Sequence, residues 1–259
     1  MMLHPGRGPD GVKTTGTVVR SSALQGLEIE YTGKPAHAGM SPWEGINALD
    51  AATSAYTSIS SLRQQLKPDT RVQGVITDGG GPAANVIPAR TAMSYMIRGN
   101  TAKDVEHTVE RVLACFEGAA TSSGCKLKTE PSHRLDELRN VEALGDEYAR
   151  AMNDMYGSTP DGAHIQLTYG DTMGASTDFG NITHLLPGCH PMFGIATAPG
   201  AFNHMPGFTA GAGSKEAFAE SMKHTAAMSA VGVRYLLDAQ FADSVAKGWV
   251  DMMDKVRKE

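Results

Sequence analysis

Leu27, Ile29 and Tyr31 alternate with Glu28 and Glu30, the period-two pattern of a strand with one buried and one wet face. From Trp43 the period changes. Trp43, Ile46, Leu49, Ala52, Tyr56, Ile59 and Leu62 recur three and four residues apart, which predicts an amphipathic helix ending near Leu66, before Pro68. Strands are expected at 72–77 and 92–98, the first closed by Asp78-Gly79-Gly80-Gly81-Pro82. Thr101 with Asp104 resembles a capping box. It opens a helix through Val105, Val109, Val112, Leu113 and Phe116 that Gly124 stops. Cys125, Leu127 and Thr129 then alternate as a fourth strand. Strand-helix-strand-strand-helix-strand is the split βαβ, ferredoxin-like plan: a four-stranded antiparallel sheet with two helices on one face.

The flanks follow a different rhythm. A helix is expected at 140–156, a short strand at 165–169 and a glycine-rich loop at 173–180. Apolar strands are expected at 182–186 and near 192–197. Residues 214–237 read as a long helix with Ala and Met on its buried face, and 245–256 as a charged tail helix. Met1 to Leu3 read as the end of a buried strand running into a His-Pro-Gly turn. Strands and helices alternate as in an α/β layer, yet there are too few strands for a full sheet. The fold class expected is α/β, with the split βαβ unit of residues 26–130 inserted between 1–25 and 131–259, two parts of an incomplete α/β domain. The expectation is of a chain that starts inside that domain.

Composition narrows the partners. With 41% apolar and 20% charged residues the chain is ordinary globular material. A net charge of -5, with no Lys/Arg cluster, argues against a nucleic-acid footprint. No apolar run approaches the roughly 20 residues of a membrane helix. Cys115, Cys125 and Cys189 form no CxxC pair, which suits a reducing, cytoplasmic setting. Small molecules or a second copy of the chain are the expected partners.

Histidines carry the candidate chemistry. His107 and His224, mid-helix beside Glu106 and Lys223, read as solvated, and His133 and His164 as loop residues. His190, in Cys189-His190-Pro191, reads as structural. His4 stands where an apolar segment meets Pro5-Gly6, and His204 lies in Asn203-His204-Met205-Pro206. Either could offer a ring nitrogen to a metal, or be an ordinary turn histidine. His37 sits among small residues in Gly33-Lys34-Pro35-Ala36-His37-Ala38-Gly39, with room for a ligand. Gly174-Ala175-Ser176-Thr177-Asp178-Phe179-Gly180 could bring backbone N–H groups to a carboxylate, or be a turn. No G-x-S-x-G occurs, so a serine hydrolase gains no support.

Taken together, Met2-Leu3-His4-Pro5, Gly33-Lys34-Pro35-Ala36-His37-Ala38, the run from Pro42-Trp43-Glu44-Gly45 to Ala51-Ala52, Asn85-Val86-Ile87-Pro88, Ser176-Thr177-Asp178-Phe179-Gly180-Asn181 and Asn203-His204 resemble the co-catalytic zinc peptidase family of aminoacylase, carnosinase and auxin-conjugate amidohydrolases. The nearest branch is that of the β-alanyl-lysine (Xaa-Arg) dipeptidases. The resemblance implies a lid, or dimerisation, domain at 26–130 inserted into a catalytic α/β domain. It implies a homodimer through the lid and hydrolysis of the amide bond of dipeptides or N-acyl amino acids with two divalent ions, Zn or Mn. By the same resemblance His4 and His204 are metal ligands, and His37 polarises the substrate carbonyl in the partner's site. Asn85 and Arg98 bind substrate near its carboxylate, with Gly174, Ser176, Thr177 and Asp178 closing that pocket.

One departure stands beside the match. The branch carries a Cys-x-His pair and a Glu-Glu pair, one glutamate being the general base, and neither pair occurs here. The nearest adjacent acids, Asp136-Glu137 and Asp146-Glu147, read as solvated surface. Two histidines fall short of the three ligands usual for one catalytic zinc, so this chain alone is expected to be inactive. The alternative is a non-catalytic short form that dimerises or regulates.

Overall fold

The structure is a computed structural model in which residues 1–8, 14–157 and 163–258 are described. It divides into two compact units, Met1–Ser21 with Leu138–Glu259, and Ser22–Glu137. Two strands open the chain, β1 (His4–Arg7) and β2 (Thr14–Ser21). The His-Pro-Gly segment expected to turn is therefore strand, and β2 is a strand the residue pattern did not announce. Its Thr and Val residues suit a pleated surface without alternating cleanly.

Unit Ser22–Glu137 runs β3 (Ala23–Thr32), α1 (Ala48–Leu62), β4 (Arg71–Asp78), β5 (Arg90–Gly99), α2 (Ala102–Ser123) and β6 (Lys126–Leu135). The sheet order is β4-β5-β3-β6 with every neighbour antiparallel, the split βαβ plan. Leu27, Ile29 and Tyr31 from β3 and Met93, Tyr95 and Ile97 from β5 share one core with Ala48, Ala51, Ala52, Ala55 and Ile59 of α1 and Val105, Val112 and Phe116 of α2. Alanines on α1 let that helix lie close to the sheet, while Phe116 fills the space beside Tyr95, its ring edge-on at 5.1 Å. Buried Tyr31 satisfies its hydroxyl by donating to the Phe116 carbonyl at 3.0 Å.

Capping fixes the helix bounds. Thr101 Oγ1 accepts the Asp104 N–H at 3.1 Å, and Gly124 follows α2 at φ 76°, a left-handed position that glycine takes without a Cβ penalty. Asn47 caps α1 by accepting from Leu49 N–H. The expected start at Trp43 is thus corrected: Pro42–Glu44 is a separate 3₁₀ turn and Trp43 is 78% exposed. Also corrected is the loop setting of His133, which lies in β6.

The other unit continues with α3 (Glu142–Tyr156), β7 (Ala163–Met173), α4 (Phe179–Thr183), β8 (Met192–Ile195), α5 (Pro206–Ala212), α6 (Lys215–Leu237) and α7 (Ala239–Val256). Its sheet order is β1-β8-β2-β7, with β1–β8 and β2–β7 parallel and β2–β8 antiparallel. Gly194 is required at that junction, because a Cβ there would stand 2.6 Å from Gly8 Cα. The strand expected at 182–186 is replaced by α4, with Leu185 and Leu186 largely exposed. A run of apolar residues that short cannot distinguish strand from helix.

Polar groups in this core also depart from expectation. His224 is fully buried rather than solvated, hydrogen-bonded through Nδ1 to the Tyr148 hydroxyl and stacked on Phe193 at 4.8 Å. Burial, aided by the Lys223 charge, lowers its pKa to about 4. Glu147, expected at the surface, is buried and bridges Arg150 of α3 and Arg234 of α6. Glu137, in the other unit, is likewise buried and accepts the Ala102 N–H at 2.8 Å. His164 belongs to β7 by its backbone, not to a loop; its side chain lies outside the described residues.

Candidate functional site

The parallel β1–β8 pair sets His4 opposite Met192. Backbone bonds from Met2 N to Cys189 O and from His4 N to Pro191 O, both 3.2 Å, extend the pairing and bracket His190. His4 is exposed, and its Nδ1 lies 2.8 Å from the Pro5 carbonyl. A carbonyl only accepts, so this contact puts the ring proton on Nδ1 and leaves the Nε2 lone pair for a metal.

His204 occupies a turn in which Met205 N–H bonds to Phe202 O at 3.1 Å. Its φ of 70° is left-handed, which non-glycine residues rarely adopt. The neighbouring Asn203 Nδ2 donates to Pro5 O at 3.0 Å, and the Arg7 guanidinium lies 5.4 Å above the Phe202 ring. The turn carrying His204 is thereby tied to the strand that begins at His4, although about 200 residues separate them.

Loop 174–178 joins β7 to α4. Gly174 and Asp178 are exposed, and Ser176 and Thr177 half-buried. Thr177 Oγ1 accepts the Phe179 N–H at 3.3 Å and its carbonyl accepts from Gly180 at 3.1 Å. The hydroxyl therefore organises the turn into α4.

His190 stands between the His4 strand and this loop. Its ring is 6.2 Å from that of His4 and 5.8 Å from that of Phe179, edge-on to both. Asn140 holds its backbone, accepting the His190 N–H at 2.8 Å while donating to Val19 O at 2.9 Å. The residue is only 2% exposed, yet neither ring nitrogen has a hydrogen-bond partner. Burial and the adjacent His4 push its pKa down to about 4, against the opposing pull of the Asp178 carboxylate. Spacing gave no reason to single it out; the one available signal was a histidine between a buried cysteine and the start of a strand.

The remaining residues belong to unit Ser22–Glu137. His37 is exposed, bridged through its backbone to Val86, and Ala38 N–H bonds to Asn85 O at 3.0 Å. His37 Nδ1 accepts from the N–H groups of Gly39 and Met40, each at 3.2 Å. The proton is therefore on Nε2, the edge left to donate to a ligand. Asn85 is exposed beside this loop. Arg98 lies at the far end of β5, paired with Leu24 and Arg71, whereas Arg90 at the near end pairs with Thr32. Eight residues of strand amount to about 27 Å. Asn85 is thus brought together with His37 and kept apart from Arg98, whose pKa is depressed by partial burial.

For the two ions that the resemblance implies, the donor chemistry fits in part. His4 has a bare Nε2, and the His204 turn is tied to its strand. Among the described residues, however, no group of three or more His, Cys, Asp or Glu side chains is placed to hold a metal. The described residues can contribute ligands; they do not form a complete centre. Among them the three cysteines are free, and no helix is long and apolar enough to cross a membrane.

Residues 20–122 match the peptidase dimerisation domain. The Xaa-Arg dipeptidase of Mus musculus is 33% identical over 233 residues, covering 85% of this chain and 50% of the mouse protein. That of Homo sapiens is 32% identical over 224 residues, covering 85% and 49%. The crystal structure of AtUAH in complex with glyoxylate superposes with a TM-score of 0.64 at 18% identity, over 89% of this chain and 53% of that one. The chain spans about half the length of the curated relatives it matches.

Proposed function

Since the chain belongs to the peptidase and amidohydrolase family of Xaa-Arg dipeptidase, we propose that it serves the metal-dependent hydrolysis of the amide bond of dipeptides or N-acyl amino acids, working as a homodimer. The observation that carries this reading is the separation of His37 and Asn85 from Arg98 along β5. A dipeptide is far shorter than about 27 Å. If all three residues serve one substrate, they come from two chains.

The sheet edges support that pairing. β6 presents Lys126, Lys128 and Glu130, charges that discourage further strand addition. β4, the opposite edge, exposes Val75 at 58% and Ile76 at 37%, next to Tyr56 of α1. A twofold axis through such an edge pairs β4 with its copy in antiparallel fashion. That brings the Arg98 end of one chain alongside the His37 end of the other.

In this reading His4 and His204 contribute metal ligands, and the remaining ligands and the general base come from outside the described residues. Bound divalent ions lower the pKa of a water and polarise the scissile carbonyl. His37 Nε2–H donates to the oxygen that gains negative charge, a contribution of about 3 kcal/mol by the measure of other oxyanion donors. Asn85 and Arg98 bind the substrate near its carboxylate by charge and hydrogen bonding.

The transcript on the 5′ side of Met1 tests the metal half of the proposal. An in-frame run with Cys-x-His and Glu-Glu is expected. A stop codon immediately upstream would instead leave a dimerising or regulatory module, the reading favoured by the self-contained core of unit Ser22–Glu137. In a protein carrying that run, His37→Ala should lower kcat about 100-fold with metal content unchanged. Unaltered kinetics would remove His37 from the mechanism.

A further inference from the structure

An exposed apolar patch on a firmly held turn marks a contact surface. The His37 loop carries one: Trp43 is 78% exposed and Met40 73%, and Val86, bridged to His37 through the backbone, is 47% exposed. The backbone beneath is tightly bonded. Met40 and Ser41 N–H groups both donate to the His37 carbonyl, at 3.3 and 3.1 Å, and Gly45 N–H closes the 3₁₀ turn on Pro42 O at 3.0 Å. Gly45 lies so close to its neighbours that a Cβ there would stand 3.0 Å from Ala36 Cβ and 3.1 Å from Ile87 Cγ2. The turn Pro42–Glu44 is thus held against the two segments that carry His37 and Asn85, and Trp43 is displayed beside them. Glu44 follows it, also exposed. Among the described residues neither the indole nor the Glu44 carboxylate has a hydrogen-bond or ion-pair partner.

We propose that Trp43 and Glu44 form the subsite for the side chain of the substrate's C-terminal residue, and that this side chain is cationic. This rests on the proposed function, which puts the scissile carbonyl at His37 and the substrate carboxylate near Asn85. The Cα bearing that side chain lies between those two groups, so its stem leaves from the loop that displays Trp43. An indole face attracts a cation through its ring quadrupole, and a carboxylate attracts it by charge and hydrogen bonding. Together they suit an ammonium or guanidinium whose methylene stem packs on the indole. An apolar side chain would use the indole alone, and an acidic one would be repelled by Glu44.

The test uses the full chain titrated with alanyl-lysine and with alanyl-leucine, followed by the indole and imidazole ¹⁵N resonances. Trp43→Leu assigns the Trp43 indole against that of Trp249, the other tryptophan. Alanyl-lysine should shift the Trp43 indole and the His37 ring saturably, and alanyl-leucine should need at least a tenfold higher concentration. Glu44→Gln should abolish that preference and leave the response to alanyl-leucine unchanged. Should His37 respond while the Trp43 indole stays fixed, or should both dipeptides act equally, the inference is overturned and the proposed role of His37 stands. Silence of His37 and Trp43 toward both dipeptides would overturn the inference and also take His37 out of the substrate site. If either variant fails to fold, the lysine-to-leucine ratio at the more exposed of the two indoles, in the unaltered chain, decides the matter.

Discussion

Unit Ser22–Glu137 draws its core from one continuous stretch of chain, in antiparallel ladders whose buried positions are almost wholly apolar. The other unit is stitched from residues 1–21 and 138–258, and its β2–β7 ladder joins strands about 150 residues apart. Its interior holds His190, His224, Glu147 and Asn140 alongside the aliphatic groups. In the first unit His37, His107 and His133 are all exposed. The difference teaches where chemistry was accommodated. Among the described residues the buried histidines belong to the second unit, whereas the buried acids divide between the two, Glu137 in one and Glu147 in the other.

Three measurements would break or sharpen that contrast. Phe116→Ala should have the largest effect, about 3–5 kcal/mol from lost burial and a residual cavity. Hydrogen exchange should show the loss concentrated in residues 22–137, and an equal loss of protection in 138–258 would mean that the two cores do not behave as separate bodies.

Acid should separate the units in the opposite sense. The folded pKa of His224 is about 4 against an ordinary 6.5, so its stabilising contribution is complete above pH 6.5. It is lost as pH falls toward 4, because the unfolded state takes up the proton first. The contribution is about 3 kcal/mol across that window. Urea unfolding of the wild type and His224→Phe at pH 7 and pH 4.5 should show a shallower pH dependence in the variant. Identical slopes would mean that the buried ring protonates without opening the core. The smallest effect belongs to Thr101→Ala, which removes the cap of α2 at about 1 kcal/mol; no change in melting temperature would show that the Asp104 N–H finds another acceptor.

The proposed dimer offers a test on the apolar edge alone. Val75→Lys, on a residue 58% exposed, should convert dimer to monomer in sedimentation without altering the fold. A dimer that persists would move the interface away from β4.

Much of unit Ser22–Glu137 was legible beforehand because alternation, helical period and capping agreed over a continuous stretch. Strands β3, β4, β5 and β6 and helix α2 lie where Leu27 to Tyr31, Val72 to Thr77, Ala92 to Arg98, Cys125 to Thr129 and the Thr101 cap put them. Asn47, a capping residue within the expected helix, was the signal that α1 starts late. The other unit was harder to read. β2 pairs with partners far along the chain, and Ile182 to Leu186 carry no period that separates strand from helical turn.

For the candidate site, the residues alone left His4, His37 and His204 as open candidates, because an imidazole can ligate, donate or simply pack, and only the family resemblance singled out Asn85 and Arg98. Their grouping was decided only by the tertiary structure. Asn85 joins His37 through a loop bridge, β5 carries Arg98 away from both, and the Asn203 amide ties the His204 turn to the strand of His4. The burial of His190 and His224 likewise follows from which elements close over them. A side chain's solvation is a property of its neighbours in space, and local periodicity records only its neighbours in sequence.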